Sequence, residues 1–171
     1  MSIFQPVSYH LKNLTRFEGR DSLAVFLPWG MVGVQVLGFA MILAIAPVIL
    51  EVAGIVTGLF GGQAWIVSTA LVLLVILGQI ALMGASITRR LHDSGRSLAW
   101  AVPPAVLLTL VGSLMPRQFA QLPANGAAPD GFYALMGLIL IYLLSVLPLI
   151  GLLGANGSGE PNRYGPPPAG K

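Results

Sequence analysis

The chain has 171 residues, of which 56% are hydrophobic and 9% charged. Soluble domains are about a quarter charged, so this composition excludes a water-soluble globule and calls for a surface that meets lipid. Nine Lys and Arg against six Asp and Glu leave a net charge of +3, but they flank apolar runs instead of forming one stripe, which argues against a nucleic-acid partner.

Residues 1–22 read as a cytoplasmic N-terminal segment, residues 23–155 as an all-α membrane domain of four transmembrane helices, and residues 156–171 as a flexible cytoplasmic tail. The apolar spans run about 23–50, 64–88, 98–116 and 132–153, against a requirement of roughly 20 helical residues to cross a bilayer. Ala44-Ile45-Ala46 resembles a signal-cleavage site. The run before it is longer than a signal core, and Pro47 follows it, so the first span is a retained anchor.

Between the first two spans, Gly54, Gly58 and Gly62 recur at four-residue spacing beside Glu51. Two readings stand: a partly helical connection at the interface, or a small-residue stripe that brings helices together, including those of a homo-oligomer. The third span is the shortest. With Ser97 as N-cap, Pro103 removes an internal hydrogen bond and kinks the helix, which then extends past Arg117, whose stem snorkels. Pro123, Asn125, Gly126, Pro129 and Asp130 mark the next loop. The tail ends Gly- and Pro-rich, and from Pro166 onward it should be extended and mobile.

The basic residues set the orientation. Lys12, Arg16 and Arg20 precede the first span, Arg89, Arg90 and Arg96 separate the second from the third, and Arg163 and Lys171 follow the fourth. Arg117 alone lies on the other side, eight against one. The positive-inside rule then places both termini and the Arg89 loop in the cytoplasm. Trp65 and Phe132–Tyr133 suit the outer interface and Trp100 the inner one, while Trp29 lies too deep for a belt and reads as a packing residue.

Arg89-Arg90-Leu91-His92-Asp93-Ser94-Gly95-Arg96-Ser97, followed by Trp100 and Pro103, resembles the signature of the domain of unknown function 805 family. Phe17-Glu18-Gly19-Arg20 resembles that family's F-x-G-R element. Glu160-Pro161-Asn162-Arg163-Tyr164-Gly165-Pro166 resembles its E-N-R-Y-G-P tail, with Pro161 inserted. The resemblance spans nearly the whole chain. It implies a small Yha-type, multi-pass protein of the bacterial cytoplasmic (inner) membrane, with about four helices and no assigned activity.

The three pieces share the cytoplasmic side, so Gly19, Arg20, Arg89, Arg90, His92, Asp93, Gly95, Arg96, Ser97, Trp100, Glu160, Asn162, Arg163, Tyr164 and Gly165 form one candidate cluster. On a structural reading, Arg89 and Arg90 complement a helix C-terminus, Gly95 turns the chain with positive φ, Ser97 caps the third helix, and Asp93 or Glu160 pairs with an arginine from another piece. On a functional reading, Arg20, Arg89, Arg90, Arg96 and Arg163 hold an anionic lipid headgroup or an acidic partner. Membrane lipids are the expected partners, and a protein partner is the other option.

His92-Asp93 suggests a catalytic pair, but no activated nucleophile accompanies it. His10 is the only other histidine and cysteine is absent, too few ligands for a metal centre. Neither a catalytic residue, a metal nor a cofactor is expected. A membrane-embedded enzyme using His92 and Asp93 is one alternative. An oligomeric small-solute transporter or channel is another, although the spans hold no ionisable residue and Gln35, Gln79, Thr69 and Thr109 read as interhelical hydrogen-bond groups.

Overall fold

Four stretches of this chain are long and apolar enough to cross a membrane, as expected. The computed structural model of the protein describes residues 4–122, 128 and 131–168, so the turn formers Pro123, Asn125, Gly126, Pro129 and Asp130 lie outside the described residues, as does Lys171. The described chain is all helical: α1 (Phe4–Lys12), α2 (Leu23–Val52), α3 (Ala64–Asp93), a 3₁₀ turn (Leu98–Ala101) running into α4 (Val102–Ala120), and α5 (Phe132–Gly154). Its one isolated β-bridge joins Asn162 to Gly165. In α5 only 6% of the most apolar window is fully buried within the chain, so much of that helix is left facing outward, where lipid can solvate it.

The helix ends follow from capping chemistry. At the end of α2 the Ile55 amide donates to the Leu50 carbonyl (3.0 Å) and the Gly54 amide to that of Glu51 (3.0 Å), the paired bonds of a Schellman motif. Gly54 takes the φ of +70° that this motif requires. Gly58 and Gly62 also have positive φ and lie outside any helix. Their four-residue spacing is therefore not a helical stripe, because the first glycine of the series ends the helix. Glu51 then reaches across the connection, accepting from the Gly62 and Ala64 amides at 3.0 and 3.1 Å and capping the start of α3.

The third span begins at Leu98, as read from the sequence, but its first residues form a 3₁₀ turn. Ser97 stands at the N-cap position, but its side chain makes no capping bond. Its carbonyl instead accepts from the Trp100 amide, and the α-helix proper starts at Val102. Pro103 and Pro104 thus occupy the first turn of the α-helix, where no N–H is needed. The helix does continue past Pro116 and Arg117, to Ala120.

The chain divides into two compact units, one of Met1–Val36, Gly78–Pro103 and Ser145–Lys171, the other of Leu37–Leu77 and Pro104–Leu144. The second is held by apolar packing. Ala44, Val72 and Ile76 form its buried cluster, with Met41, Ile45, Val75 and Leu108 against it. Gly112 of α4 is its point of closest approach, since a Cβ there would lie 2.8 Å from Val72 Cγ1 and 2.9 Å from Ile76 Cδ1. Thr69 and Thr109 donate back to carbonyls of their own helices, Trp65 and Ala105, and so do not bridge helices as expected. In the first unit Gln79 does bridge, its side-chain amide donating to the Gly33 carbonyl of α2 at 3.0 Å.

Candidate functional site

In the first unit the interior is charged. Arg89, Arg90 and Asp93 lie on the last turns of α3, and Arg20 and Asp21 on the strand of chain leading into α2; all five are buried. Desolvating such groups costs several kcal/mol per ion unless partners restore what water supplied, so the arrangement stands or falls on its hydrogen bonds. Three salt bridges organise it. Arg89 Nε donates to Asp21 Oδ2 at 2.7 Å, Arg20 Nη2 to Asp93 Oδ1 at 2.9 Å, and Arg90 Nη1 to Asp93 Oδ2 at 2.6 Å. Asp93 is thus gripped on both oxygens by arginines from two different segments.

Three guanidinium groups against two carboxylates leave one positive charge over, and backbone carbonyls take it up. Arg90 donates to Leu153 (2.8 Å) and Ala155, the orphan carbonyls at the negative end of the α5 dipole. Arg89 donates to Asn13 (3.1 Å) and Arg16. Arg20 donates to Glu160 (3.0 Å), Gly165 (3.2 Å) and Ser158 in the tail. Further bonds close the same seam: the Asp21 amide to the Arg89 carbonyl (3.1 Å) and the Ser158 amide to the Asp93 carbonyl (2.9 Å). Asn162 Nδ2 adds a bond to the His92 carbonyl at 3.0 Å. The result is a clasp that ties the N-terminal arm, the end of α3, the end of α5 and the tail through Gly165.

The amphipathic helix α1, within the segment read from the sequence as cytoplasmic and N-terminal, supplies a fourth side. His10 is buried and stacks on Trp29, with centroids 5.5 Å apart, so Trp29 is the packing residue the sequence indicated. His10 Nε2–H donates to the Val25 carbonyl (3.2 Å), leaving Nδ1 to accept from Arg89 Nη2 (3.1 Å). Those partners define a neutral imidazole. Burial holds the His10 pKa below its usual value, with Arg89 acting the same way and Asp21 against it. The Tyr9 hydroxyl donates to Asp21 Oδ1 at 3.0 Å, and burial, followed by the Asp21 charge, raises its pKa.

The turn after α3 matches its sequence reading at Gly95, which has φ of +71°. Arg96 N–H to Leu91 O (2.8 Å) and Gly95 N–H to His92 O (3.0 Å) complete a second Schellman motif. His92 and Asp93 face different partners. The Asp93 carboxylate belongs to the arginines, while His92 Nδ1 donates to the Gly19 carbonyl (3.2 Å) and its ring stacks on Tyr164 at 3.7 Å. The two therefore do not form an acid–base dyad.

Of the five arginines read as an anion site, Arg20, Arg89 and Arg90 are turned inward and engaged. Arg96 and Arg163 are exposed. Arg96 lies over the exposed ring of Trp100 at 5.7 Å, and Arg163 over Tyr164 at 4.7 Å. Glu160 contributes its carbonyl to the clasp rather than a salt bridge. Sequence reasoning missed Asp21, whose signal was its place directly after the Gly19-Arg20 motif. It also missed Ser158 and the carbonyls of Leu153 and Ala155.

A family model described as "Protein of unknown function (DUF805)" matches residues 14–166, a range that takes in every segment of the clasp beyond α1. No curated protein matches the chain, and no solved structure does.

Proposed function

The chain belongs to the DUF805 family, and on that premise we propose that it is a non-enzymatic accessory protein of the bacterial inner membrane, with both termini cytoplasmic. Its clasp is a rigid platform that presents basic side chains to anionic lipid headgroups. The observation that carries this reading is the division of labour among the arginines. Arg20, Arg89 and Arg90 are consumed by internal partners, whereas Lys12, Arg16, Arg96 and Arg163 are exposed around them. Each basic residue near an anionic surface contributes about 1 kcal/mol of attraction. The Arg96–Trp100 stack combines a cation with the aromatic residue favoured at headgroup depth. The eight-to-one distribution of basic residues supports the orientation.

The chain has no cysteine, so single cysteines at Ser97, whose side chain makes no capping bond, and at Gly159 can be labelled from one side of the membrane without background. Labelling from the cytoplasmic side alone is expected, and labelling from the outside would overturn the orientation. In nanodiscs, an Arg16/Arg96/Arg163→Gln variant should lose enrichment of phosphatidylglycerol over phosphatidylcholine while keeping its thermal stability. Unchanged enrichment would overturn the platform reading.

A further inference from the structure

Beside the clasp lies an open groove of about 550 Å³, lined in part by His92, which bonds to the Gly19 carbonyl and stacks on Tyr164. It is lined by Phe17 and Glu18 of the N-terminal arm, by His92, by Leu98, and by the tail residues Arg163 and Tyr164. Glu18 and Arg163 line this one groove from different segments, yet among the described residues neither has an ion-pair partner. Among the described residues, Arg163 makes a long 3.5 Å bond to the Gly95 carbonyl and lies over the Tyr164 ring. Opposite charges on one groove, neither of them in an ion pair among the described residues, suit a ligand that carries both signs itself.

The groove's apolar rim narrows the class. Phe17 is 48% and Leu98 38% exposed, and they lie beside the end of α3 and at the start of the next span. On the reading above, that is the depth where hydrocarbon gives way to headgroups. We propose that this groove binds one phospholipid with a primary-amine headgroup, phosphatidylethanolamine, its phosphate on Arg163, its ammonium on Glu18 and its acyl chains along Phe17 and Leu98. The inference rests on the headgroup-level placement of the clasp, but it does not need the anionic preference proposed there. A phosphatidylglycerol headgroup would satisfy Arg163 and offer Glu18 no cation. The quaternary ammonium of phosphatidylcholine has no N–H to give the carboxylate.

The test is native mass spectrometry of the full chain released from nanodiscs holding equal amounts of the three lipids with identical acyl chains. Wild type should retain one phosphatidylethanolamine about tenfold over phosphatidylcholine, the ratio expected of one charge-assisted bond. Glu18→Gln should abolish that preference and leave phosphatidylglycerol retention unchanged, and Arg163→Gln should lower retention of all three. Both side chains are exposed, so these variants should unfold at the wild-type temperature. Equal retention of phosphatidylethanolamine and phosphatidylcholine would overturn the inference, as would a preference that survives Glu18→Gln. A dimer that both substitutions return to monomer would overturn it too, by placing a second chain in the groove. If phosphatidylglycerol enrichment persists through these failures, the platform reading stands without the groove. Reactive cysteines on the outer face would remove both.

Discussion

The two compact units differ in whether they bury charge. One encloses arginine, aspartate and histidine beside apolar residues such as Phe26, Trp29 and Leu91; the buried cluster of the other is alanine, valine and isoleucine, with Ser68 as a buried polar side chain. The contrast follows from what each must do. Packing alone suffices where helices meet along apolar faces, because every backbone group is already bonded within its own helix. The clasp joins chain ends that leave the helical pattern, so it has orphan carbonyls to satisfy, and arginine, with five donors in a fixed fork, satisfies several at once. One unit depends on chemical identity and the other on volume.

Substitutions can separate those two dependences. The largest effect is expected at Asp93, where Asp93→Asn leaves Arg20 and Arg90 buried without their shared counter-charge. Removing one partner of a buried pair costs about 3–5 kcal/mol, and denaturant unfolding in detergent should show at least that loss. A change below about 1 kcal/mol, the range of exposed pairs, would mean that water reaches the site. In the apolar unit, Gly112→Ala adds one methyl against Val72 and Ile76 and should cost about 1–3 kcal/mol by overpacking. The same assay checks it, and a neutral result would show that this packing yields.

A smaller effect separates the units by pH. His10 is held neutral mainly by burial, so its folded pKa lies below the ordinary 6.5. The unfolded chain then binds more protons than the folded one as pH drops below 6.5, and stability falls with it. That contribution is fully present above 6.5 and declines as the pH approaches the depressed folded value. The thermal midpoint of wild type should therefore fall between pH 7.5 and 5.5 by more than that of His10→Gln. Equal falls in the two proteins would remove His10 from the account.

Much of the fold was legible because its signals are local. Hydropathy located all four spans, and Gly95 was readable as a left-handed turn because few other residues adopt that conformation without strain. At Gly54 two readings stayed open, since a four-residue glycine spacing looks the same whether the helix continues or ends at the first glycine. At Pro103 the sequence showed where the span starts but not that its first residues, Leu98–Ala101, form a 3₁₀ turn ahead of the α-helix.

The candidate cluster was found and its members were largely brought together, yet the direction in which the arginines point was not readable. An excess of basic over acidic side chains looks like free positive charge, whereas here carbonyls of Leu153, Glu160 and Gly165 accept from those arginines. Every residue carries a carbonyl, so such acceptors leave no trace in composition. The pairing of Asp21 with Arg89 spans 68 residues of chain, beyond the reach of any periodicity.

The central claim is that these arginines act inward, on carboxylates of their own chain. A double-mutant cycle on Arg89→Met and Asp21→Asn, read by unfolding in detergent, tests it most directly. The two losses should fall short of additivity, with a coupling of about 2 kcal/mol or more. Losses that add within about 0.5 kcal/mol, the behaviour of independent sites, would contradict the clasp.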